Sequence, residues 1–228
     1  KQNTTDQTIR ELIDGDNEYW NTENSNKNAM VATTQRDYIA GTTSTDMTRR
    51  FLLDEDIVKA HDEGIIHFHD ADYFLQKIHN CCLINLDDML QNGTIINGVM
   101  IEKPHKFITA CTIATQIILG VSSSQYGGCT ITLSHLAPFV RDSYNKYLEE
   151  AIEETRNYSA ELWDSRDGLI KEIARNRLKK EIEAGVQTFN YQVNSMTNTN
   201  GQSPFLSVNM YLGETEEYKE ELAMIIRF

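Results

Sequence analysis

His67-Phe68-His69-Asp70 is followed closely by His79-Asn80-Cys81-Cys82-Leu83-Ile84-Asn85-Leu86, and these two stretches decide how the chain is interpreted. The second stretch predicts a β-strand, in which successive side chains point to opposite faces. One face would carry His79, Cys81, Leu83 and Asn85, and the other Asn80, Cys82, Ile84 and Leu86. The second face becomes apolar after Cys82 and is expected to pack. The more polar first face suits a cavity, so only one of the two cysteines is expected to reach a given site.

From the residues alone, the adjacent cysteines Cys81 and Cys82 have three interpretations. They could be inert small hydrophobic residues of a core. They could be metal ligands, because three histidines (His67, His69 and His79) lie nearby in the sequence. They could also carry redox or radical chemistry, which the polar face around Cys81 favours. His67 and His69 are likewise compatible with a hydrogen-bonded turn network or with a metal site.

Composition limits the class of protein. The chain has 228 residues, enough for one or two domains, and a net charge of −13, which argues against a nucleic-acid-binding surface. Its four cysteines are irregularly spaced, without a C-x-x-C pair, which argues against a disulfide scaffold and a zinc site of its own. The longest apolar run, residues 107–121, is shorter than a membrane span. These features predict a cytoplasmic protein without nucleic-acid or membrane partners.

The first half of the chain alternates helical and extended patterns. Glycines in the loop Tyr126-Gly127-Gly128 would permit close approach of another segment. The predicted elements are a helix over Thr8–Asp14, an irregular arm over Thr22–Arg36, a helix from Asp54 to Gly64, a short strand over Ile65–His69 and a helix over Lys106–Val121.

The second half predicts two helices within Ser143–Ala184, broken near Gly168 and ended by Gly185. A strand follows over Pro204–Leu212, with Ser207 and Asn209 on its polar face. That strand fits either a half-buried position in an antiparallel sheet or a barrel strand that lines a ligand cavity. The amphipathic helix over Glu217–Phe228 has no stop signal, so we expect a piece of a longer α/β protein.

Several of these segments together resemble one family over nearly the whole chain. They are His67-Phe68-His69-Asp70, Asn80-Cys81-Cys82-Leu83-Ile84, Tyr126-Gly127-Gly128 and Asn200-Gly201-Gln202-Ser203-Pro204-Phe205. The family is that of the anaerobic, glycyl-radical (class III) ribonucleoside-triphosphate reductases. The resemblance implies a ten-stranded α/β barrel, with its first half in residues 49–228. Residues 1–48 would form a helical and irregular arm after a nucleotide-binding cone that lies outside this chain.

The resemblance also implies an activity and site residues. Ribonucleoside triphosphates would be reduced to deoxyribonucleotides by thiyl and glycyl radical chemistry without oxygen. A gapless match assigns the cysteine beside the ribose 2′ position to Cys81, with Cys82 as the alternative. The substrate pocket would include Asn80, His67, His69, Ser207 and Asn209, and no metal ligand is assigned.

A separate effector site is implied for a deoxynucleoside triphosphate or ATP at a homodimer interface. Lys103 and Lys146 would meet the triphosphate, and Glu102 and Gln116 would contact the base or deoxyribose. The alternative from the residues alone is a solvated loop and a helix-surface amide, because no Gly-rich phosphate loop is present.

Other parts of such an enzyme are not expected in this chain. They are the radical-bearing cysteine in a Gly-Cys-Arg context, the C-terminal glycyl radical and a cysteine-bound zinc ion. The chain alone is therefore not expected to be active, and formate as reductant and a radical-SAM activating enzyme are expected as cofactor and partner. Two rivals are an inactive nucleotide-binding regulatory module and another glycyl-radical enzyme. Retention of Cys81 argues against the first, and the joint presence of the His-x-His-Asp and Asn-Cys-Cys-Leu-Ile segments argues against the second.

Overall fold

The computed structural model describes residues 4–14, 27–156 and 163–228. Its helices are α1 (Thr4–Asp14), α2 (Ala32–Met47), α3 (Glu55–Asp62), α4 (Leu86–Gln91), α5 (Phe107–Ser122), α6 (Ala137–Glu154), α7 (Trp163–Ser195) and α8 (Lys219–Arg227). Its strands are β1 (Cys82–Leu83), β2 (Thr94–Ile96), β3 (Val99–Ile101), β4 (Cys129–Thr132) and β5 (Leu206–Asn209).

The chain forms two compact units, each built from three segments. Unit 1 contains Lys1–Cys82, Val121–Gly128 and Met196–Phe205, and unit 2 contains Leu83–Gly120, Cys129–Ser195 and Leu206–Phe228. The predicted division at residue 48 concerns a longer protein and stays a prediction. None of the helices in the described ranges is long and apolar enough to cross a membrane.

Unit 1 begins with α1 packed on α2. The predicted helix near Thr8–Asp14 is confirmed, and Leu12 from it is buried with Ala29 and Tyr38. The irregular arm predicted over Thr22–Arg36 is wrong at its C-terminal end, because α2 begins at Ala32. Residues 22–26 of that arm lie outside the described residues. A single π-helical turn, Thr48–Leu52, continues α2.

The next segment contains one confirmed element and one wrong one. α3 begins after Asp54 with acidic residues in its first turn, and Gly64 follows it with a φ of 73°. The strand predicted over Ile65–His69 is not formed. The Ile65 amide donates to the Ala60 carbonyl at 2.9 Å, and the Phe68 amide donates to His61 Nδ1 at 3.1 Å. These local bonds use donors that a sheet would need.

The strand predicted over His79–Leu86 is much shorter than expected but keeps its two faces. Only Cys82–Leu83 is assigned as a strand, and His79 forms an isolated bridge with Gln125. The chain leaves the strand early because the Asn85 side chain caps α4. Ile84 and Leu86 are buried whereas Cys81 and Leu83 are exposed, which confirms the predicted packing face.

Unit 2 contains both β-sheet and helices. The three-stranded sheet has the order β1-β4-β5, and β4 and β5 are parallel, from Cys129 opposite Leu206 to Thr132 opposite Asn209. The parallel pairing contradicts an antiparallel sheet for the strand predicted over Pro204–Leu212, which is observed only as Leu206–Asn209. β2 and β3 form a separate hairpin with Asn97 and Gly98 at its turn.

α6 and α7 pack along each other, and together with α5 they supply most of the apolar core of unit 2. The predicted break near Gly168 and end at Gly185 are both wrong, because α7 continues through both positions. α6 ends at Glu154, and α7 is described from Trp163 onward. A Cβ added at Gly185 would lie 2.7 Å from the buried ring of Phe107, so this glycine permits close packing of α7 against α5.

Replacing Gly185 with alanine is therefore expected to destabilise the protein by about 1–3 kcal/mol, the usual cost of overpacking a core. The matched control is Gly168→Ala in the same helix, where an added Cβ meets nothing within 4 Å. Alanine there is expected to stabilise by about 1 kcal/mol, because glycine is a poor helix former. Thermal unfolding of the full-length variants measures both. Equal midpoints for the two variants would contradict the packing argument.

Candidate functional site

A polar cavity of about 680 Å³ lies within unit 1. It is formed where α2, the turn after α3 and the loop before β4 come together. Three of the residues predicted from the sequence for the substrate pocket, His67, His69 and Asn80, line it. The other lining residues are Lys27, Tyr38, Gly41, Thr42, Thr45, His61, Phe68, Asp70, Ala71, Asp72, Tyr73, Tyr126 and Gly127.

Cys81 lies next to this cavity, directly after Asn80. Its thiol is exposed and donates a hydrogen bond to Asn80 Oδ1, with Sγ and Oδ1 3.1 Å apart. The side-chain amide nitrogen of Asn80, Nδ2, in turn donates a hydrogen bond to Asp70 Oδ2 at 3.4 Å. The thiol is thus held by a residue that itself faces the cavity.

The glycine loop after α5 fixes the backbone of the Asn80–Cys81 pair. Gly127 donates its amide to the Asn80 carbonyl at 2.8 Å, and Tyr126 donates to the His79 carbonyl at 3.2 Å. A Cβ at Gly127 would lie 2.1 Å from Asn80 Oδ1 and 2.7 Å from Cys81 Sγ. The predicted close approach at this loop is therefore confirmed.

Asp70 collects hydrogen bonds from several sides of the cavity. Its Oδ2 accepts from the Tyr126 hydroxyl at 3.0 Å as well as from Asn80, and its Oδ1 pairs with His69 Nδ1. Burial, together with this bond to the Asp70 carboxylate, raises the pKa of Tyr126 to about 12. The phenol therefore stays protonated and remains a donor at neutral pH.

The buried Lys27 side chain contacts Tyr126 indirectly, through Tyr73. The rings of Tyr73 and Tyr126 stack with centroids 4.1 Å apart and an interplanar angle of 4°. Lys27 Nζ donates to the Tyr73 hydroxyl at 2.8 Å and also to Asp37. Burial lowers the pKa of Lys27, but these two hydrogen bonds outweigh it and leave the pKa raised, so Lys27 is charged.

The histidines of the cavity form a cluster without a metal-binding arrangement. The ring centroids of His61 and His67 are 5.3 Å apart, and those of His67 and His69 are 5.6 Å apart. Within the part of the chain that the structure describes, no group of three metal-ligating side chains is placed to hold an ion. The hydrogen bonds of this segment include those of His69 Nδ1 with Asp70 and of the Phe68 amide with His61 Nδ1.

The other three cysteines differ from Cys81 in exposure. Burial raises the pKa of Cys82, with a smaller contribution from Cys81, and Cys82 is only partly exposed. Burial raises the pKa of Cys111 to about 12, and Cys129 is buried as well. Because the thiolate is the reactive form, Cys111 is inert as a nucleophile. Cys81 is the one cysteine of the four that is exposed.

Ser207 and Asn209 belong to unit 2 and do not line the cavity. Both are exposed on β5, opposite Thr130 and Thr132 of β4. Asn209 Nδ2 donates to Glu214 Oε2 at 2.8 Å. Their role in a substrate pocket stays a prediction.

The residues predicted for an effector site also lie in unit 2. Glu102 and Lys103 are exposed between β3 and α5, and the Lys103 ammonium lies 5.9 Å from the Phe139 ring centroid. Gln116 is exposed on α5, roughly 14 Å along the helix axis from its first residue, Phe107. Lys146 is exposed on α6. All four are accessible, and their joint use by one ligand stays a prediction.

Comparison with known proteins identifies the family. The family model described as anaerobic ribonucleoside-triphosphate reductase matches residues 23–228. The chain belongs to this family. The reductase of Salmonella typhimurium is 38% identical over 100% of this chain and 31% of its own length. That of Enterobacteria phage T4 is 35% identical over 92% of this chain and 33% of its own length. The chain thus spans about a third of these reductases.

A solved structure supports the fold of this chain. The anaerobic ribonucleotide reductase from Thermotoga maritima, crystallised in complex with dATP and CTP, matches 85% of this chain and 32% of its own. The TM-score is 0.54 at 17% sequence identity. The comparison confirms the α/β class with a parallel sheet, and closure into ten strands stays a prediction.

Sequence reasoning named the cysteine and the histidines but missed the residues that hold them. Asp70 directly follows His67-Phe68-His69 in the sequence. The sequence does not predict that Tyr126 and Asn80 both donate hydrogen bonds to its carboxylate. Lys27 and Tyr73 gave no local indication, because they meet only through contacts between distant parts of the chain.

Proposed function

We propose that this chain is part of the catalytic subunit of an anaerobic reductase that converts ribonucleoside triphosphates to deoxyribonucleoside triphosphates. One observation carries the proposal: the exposed Cys81 thiol is held by Asn80 beside a polar cavity. Family membership and the nucleotide complex of the Thermotoga maritima protein support nucleotides as substrate and effector.

The chain's own residues fit the donor side of this reaction. A glycyl radical, held outside this chain, would supply the unpaired electron with which the ribose chemistry begins. Cys81 would donate its single thiol hydrogen, as a hydrogen atom, to the ribose 2′ carbon after the 2′ hydroxyl has taken the proton of the neighbouring 3′ hydroxyl and left as water. Formate, the proposed reductant, would then return a hydrogen atom to the Cys81 sulfur and be oxidised toward carbon dioxide. Asn80, His67 and His69 would contact the ribose hydroxyls or phosphate, and Ser207 and Asn209 are proposed as further substrate-binding residues.

The remaining requirements would come from outside these residues. Formate is proposed as the reductant, and a radical-SAM enzyme as the partner that generates the radical. Zinc would be bound only by cysteines beyond this chain. We further propose that the protein forms a homodimer, with the effector residues at the subunit interface. A cytoplasmic location is proposed as well.

The decisive experiment is an anaerobic assay of the full-length protein. It would be supplied with the activating enzyme, formate and each ribonucleoside triphosphate in turn, and deoxynucleotides would be measured by chromatography. Product formation that requires both activation and formate is expected. Product formed without formate would show that another compound is the reductant. The absence of product with every nucleotide would overturn the proposed function.

Replacing Glu102 or Lys103 with alanine is expected to weaken binding of a deoxynucleoside triphosphate by roughly ten- to a hundredfold. This is the usual cost of losing one charge-assisted contact. Calorimetry with the full-length protein measures the affinity. Lys59→Ala is the control, because Lys59 lies in a surface ion pair with Glu63 in unit 1. Unchanged effector affinity in both test variants would move the effector site elsewhere.

A further inference from the structure

The Asp70 carboxylate is the point at which the polar network of the cavity converges. Its Oδ2 accepts from Tyr126 and Asn80, and its Oδ1 pairs with His69. Asn80 uses its other amide atom, Oδ1, to accept from the Cys81 thiol. A continuous chain of hydrogen bonds therefore links the Tyr126 hydroxyl to the Cys81 thiol, and Asp70 is its centre.

The backbone at Asp70 is held in an uncommon conformation that aims this carboxylate. Its φ of 59° lies in the left-handed region, which residues with a Cβ seldom adopt. The turn that follows is tied to α2, because the buried Ser44 and Thr48 hydroxyls both donate to the Ala71 carbonyl, at 2.9 and 3.4 Å. Two buried side chains thus hold a strained residue in place.

The opposite side of the network is also held firmly. Tyr126 is fixed by its stack on Tyr73, which the buried Lys27 holds by its hydroxyl. Asp70 therefore joins two supports, α2 and the stacked tyrosines, to the one side chain that holds the thiol. The Asp70 carboxylate therefore does more than add a negative charge to the cavity, because it also links Asn80 to these two supports.

We propose that Asp70 is a positioning residue for Cys81, which it orients through the side-chain amide of Asn80. The inference rests on the proposed reductase function for its kinetic consequences, but the geometric claim is independent of it. Asp70 need not touch the substrate for this role. Its removal would leave Asn80 free to rotate and the thiol without a fixed acceptor.

A double-mutant cycle in the full-length protein tests the proposal. Asp70→Ala and Asn80→Ala are each expected to lower kcat by about a hundredfold, the typical effect of misplacing a reacting group by about 1 Å. Because Asp70 acts through Asn80, the double variant is expected to be no worse than Asn80→Ala within about threefold. Multiplied losses in the double variant would overturn the proposal.

A conservative variant separates positioning from general disruption. Asp70→Asn keeps the size of the side chain and an oxygen that accepts from Tyr126 and Asn80, so kcat is expected to return to within about threefold of the parent. Glycyl-radical content by electron paramagnetic resonance reports whether each variant is folded and activated. Asp70→Asn with normal radical content but a loss as large as that of Asp70→Ala would overturn the proposal.

Thiol alkylation gives a readout that needs no turnover. The rate at which iodoacetamide modifies Cys81, mapped by mass spectrometry, is expected to rise about two- to tenfold in Asp70→Ala, which corresponds to one net hydrogen bond. Asp62→Ala is the control, because Asp62 pairs with Arg49 on the surface, and no change is expected there. An unchanged rate in Asp70→Ala would overturn the proposal. An inactive parent enzyme would overturn the proposed function alone, since alkylation still decides the role of Asp70.

Discussion

Replacing Cys81 with serine in the full-length protein is expected to abolish ribonucleotide reduction and to leave glycyl-radical formation intact. An alcohol O–H bond is much stronger than a thiol S–H bond, so serine does not donate a hydrogen atom in the same step. Serine nevertheless retains a donor for Asn80 Oδ1, which accepts from the thiol at 3.1 Å. The network around the cavity is therefore expected to survive the change.

Cys82→Ser provides the matched control for this experiment. Cys82 is the next residue, but it lies on the packing face of β1, and burial raises the pKa of its thiol. Its variant is expected to retain reduction within about an order of magnitude, because a small, partly exposed side chain is exchanged for a polar one of similar size. An active Cys81→Ser variant beside an inactive Cys82→Ser variant would show that the two roles are inverted.

The second large effect is expected from Gly127→Ala. The new methyl group would lie 2.1 Å from Asn80 Oδ1, 2.6 Å from the Asn80 carbonyl oxygen and 2.7 Å from Cys81 Sγ. One of these contacts is with backbone, so relief requires the strand or the loop to move. A displacement of about 1 Å at the reacting thiol typically costs about a hundredfold in rate. We expect at least that loss in kcat.

Gly168→Ala serves as the control, because its helix position is open and remote from the cavity in sequence. Anaerobic turnover and glycyl-radical content would be measured for both variants. A Gly127→Ala enzyme with normal radical content and a kcat within threefold of the parent would show that the loop tolerates the methyl group. The close approach of Gly127 would then have no bearing on catalysis.

Local patterns in the sequence predicted much of the fold. The acidic start of α3, the apolar run of α5 and the two faces around Cys81 are each determined by neighbours within a few residues. The errors arose where tertiary contacts override local preference. A glycine such as Gly185 predicts a helix end from local preference, but here it allows close contact with Phe107, a residue far away in the sequence.

The candidate site was predictable only in part for the same reason. His67, His69 and Asn80 were named because they lie in short, distinctive segments, and the structure brings them to one cavity. The supports of the site were not, since Lys27, Tyr73 and Tyr126 lie far apart in the sequence. Ser207 and Asn209 were assigned from strand alternation, which predicts a face but not the cavity that it adjoins.

The three-segment construction of unit 1 has a consequence for the order of folding during synthesis. Its first and last segments meet at the bridge between Lys27 and Gln202, and Thr34 Oγ1 lies 3.5 Å from the Gly201 carbonyl. At typical translation rates of about 5–20 residues per second, the early segment would wait roughly ten seconds or longer for its partner. Nascent chains that stop before residue 196 would leave α2 without that partner. Unit 1 of this protein would therefore be completed only after its third segment has left the ribosome.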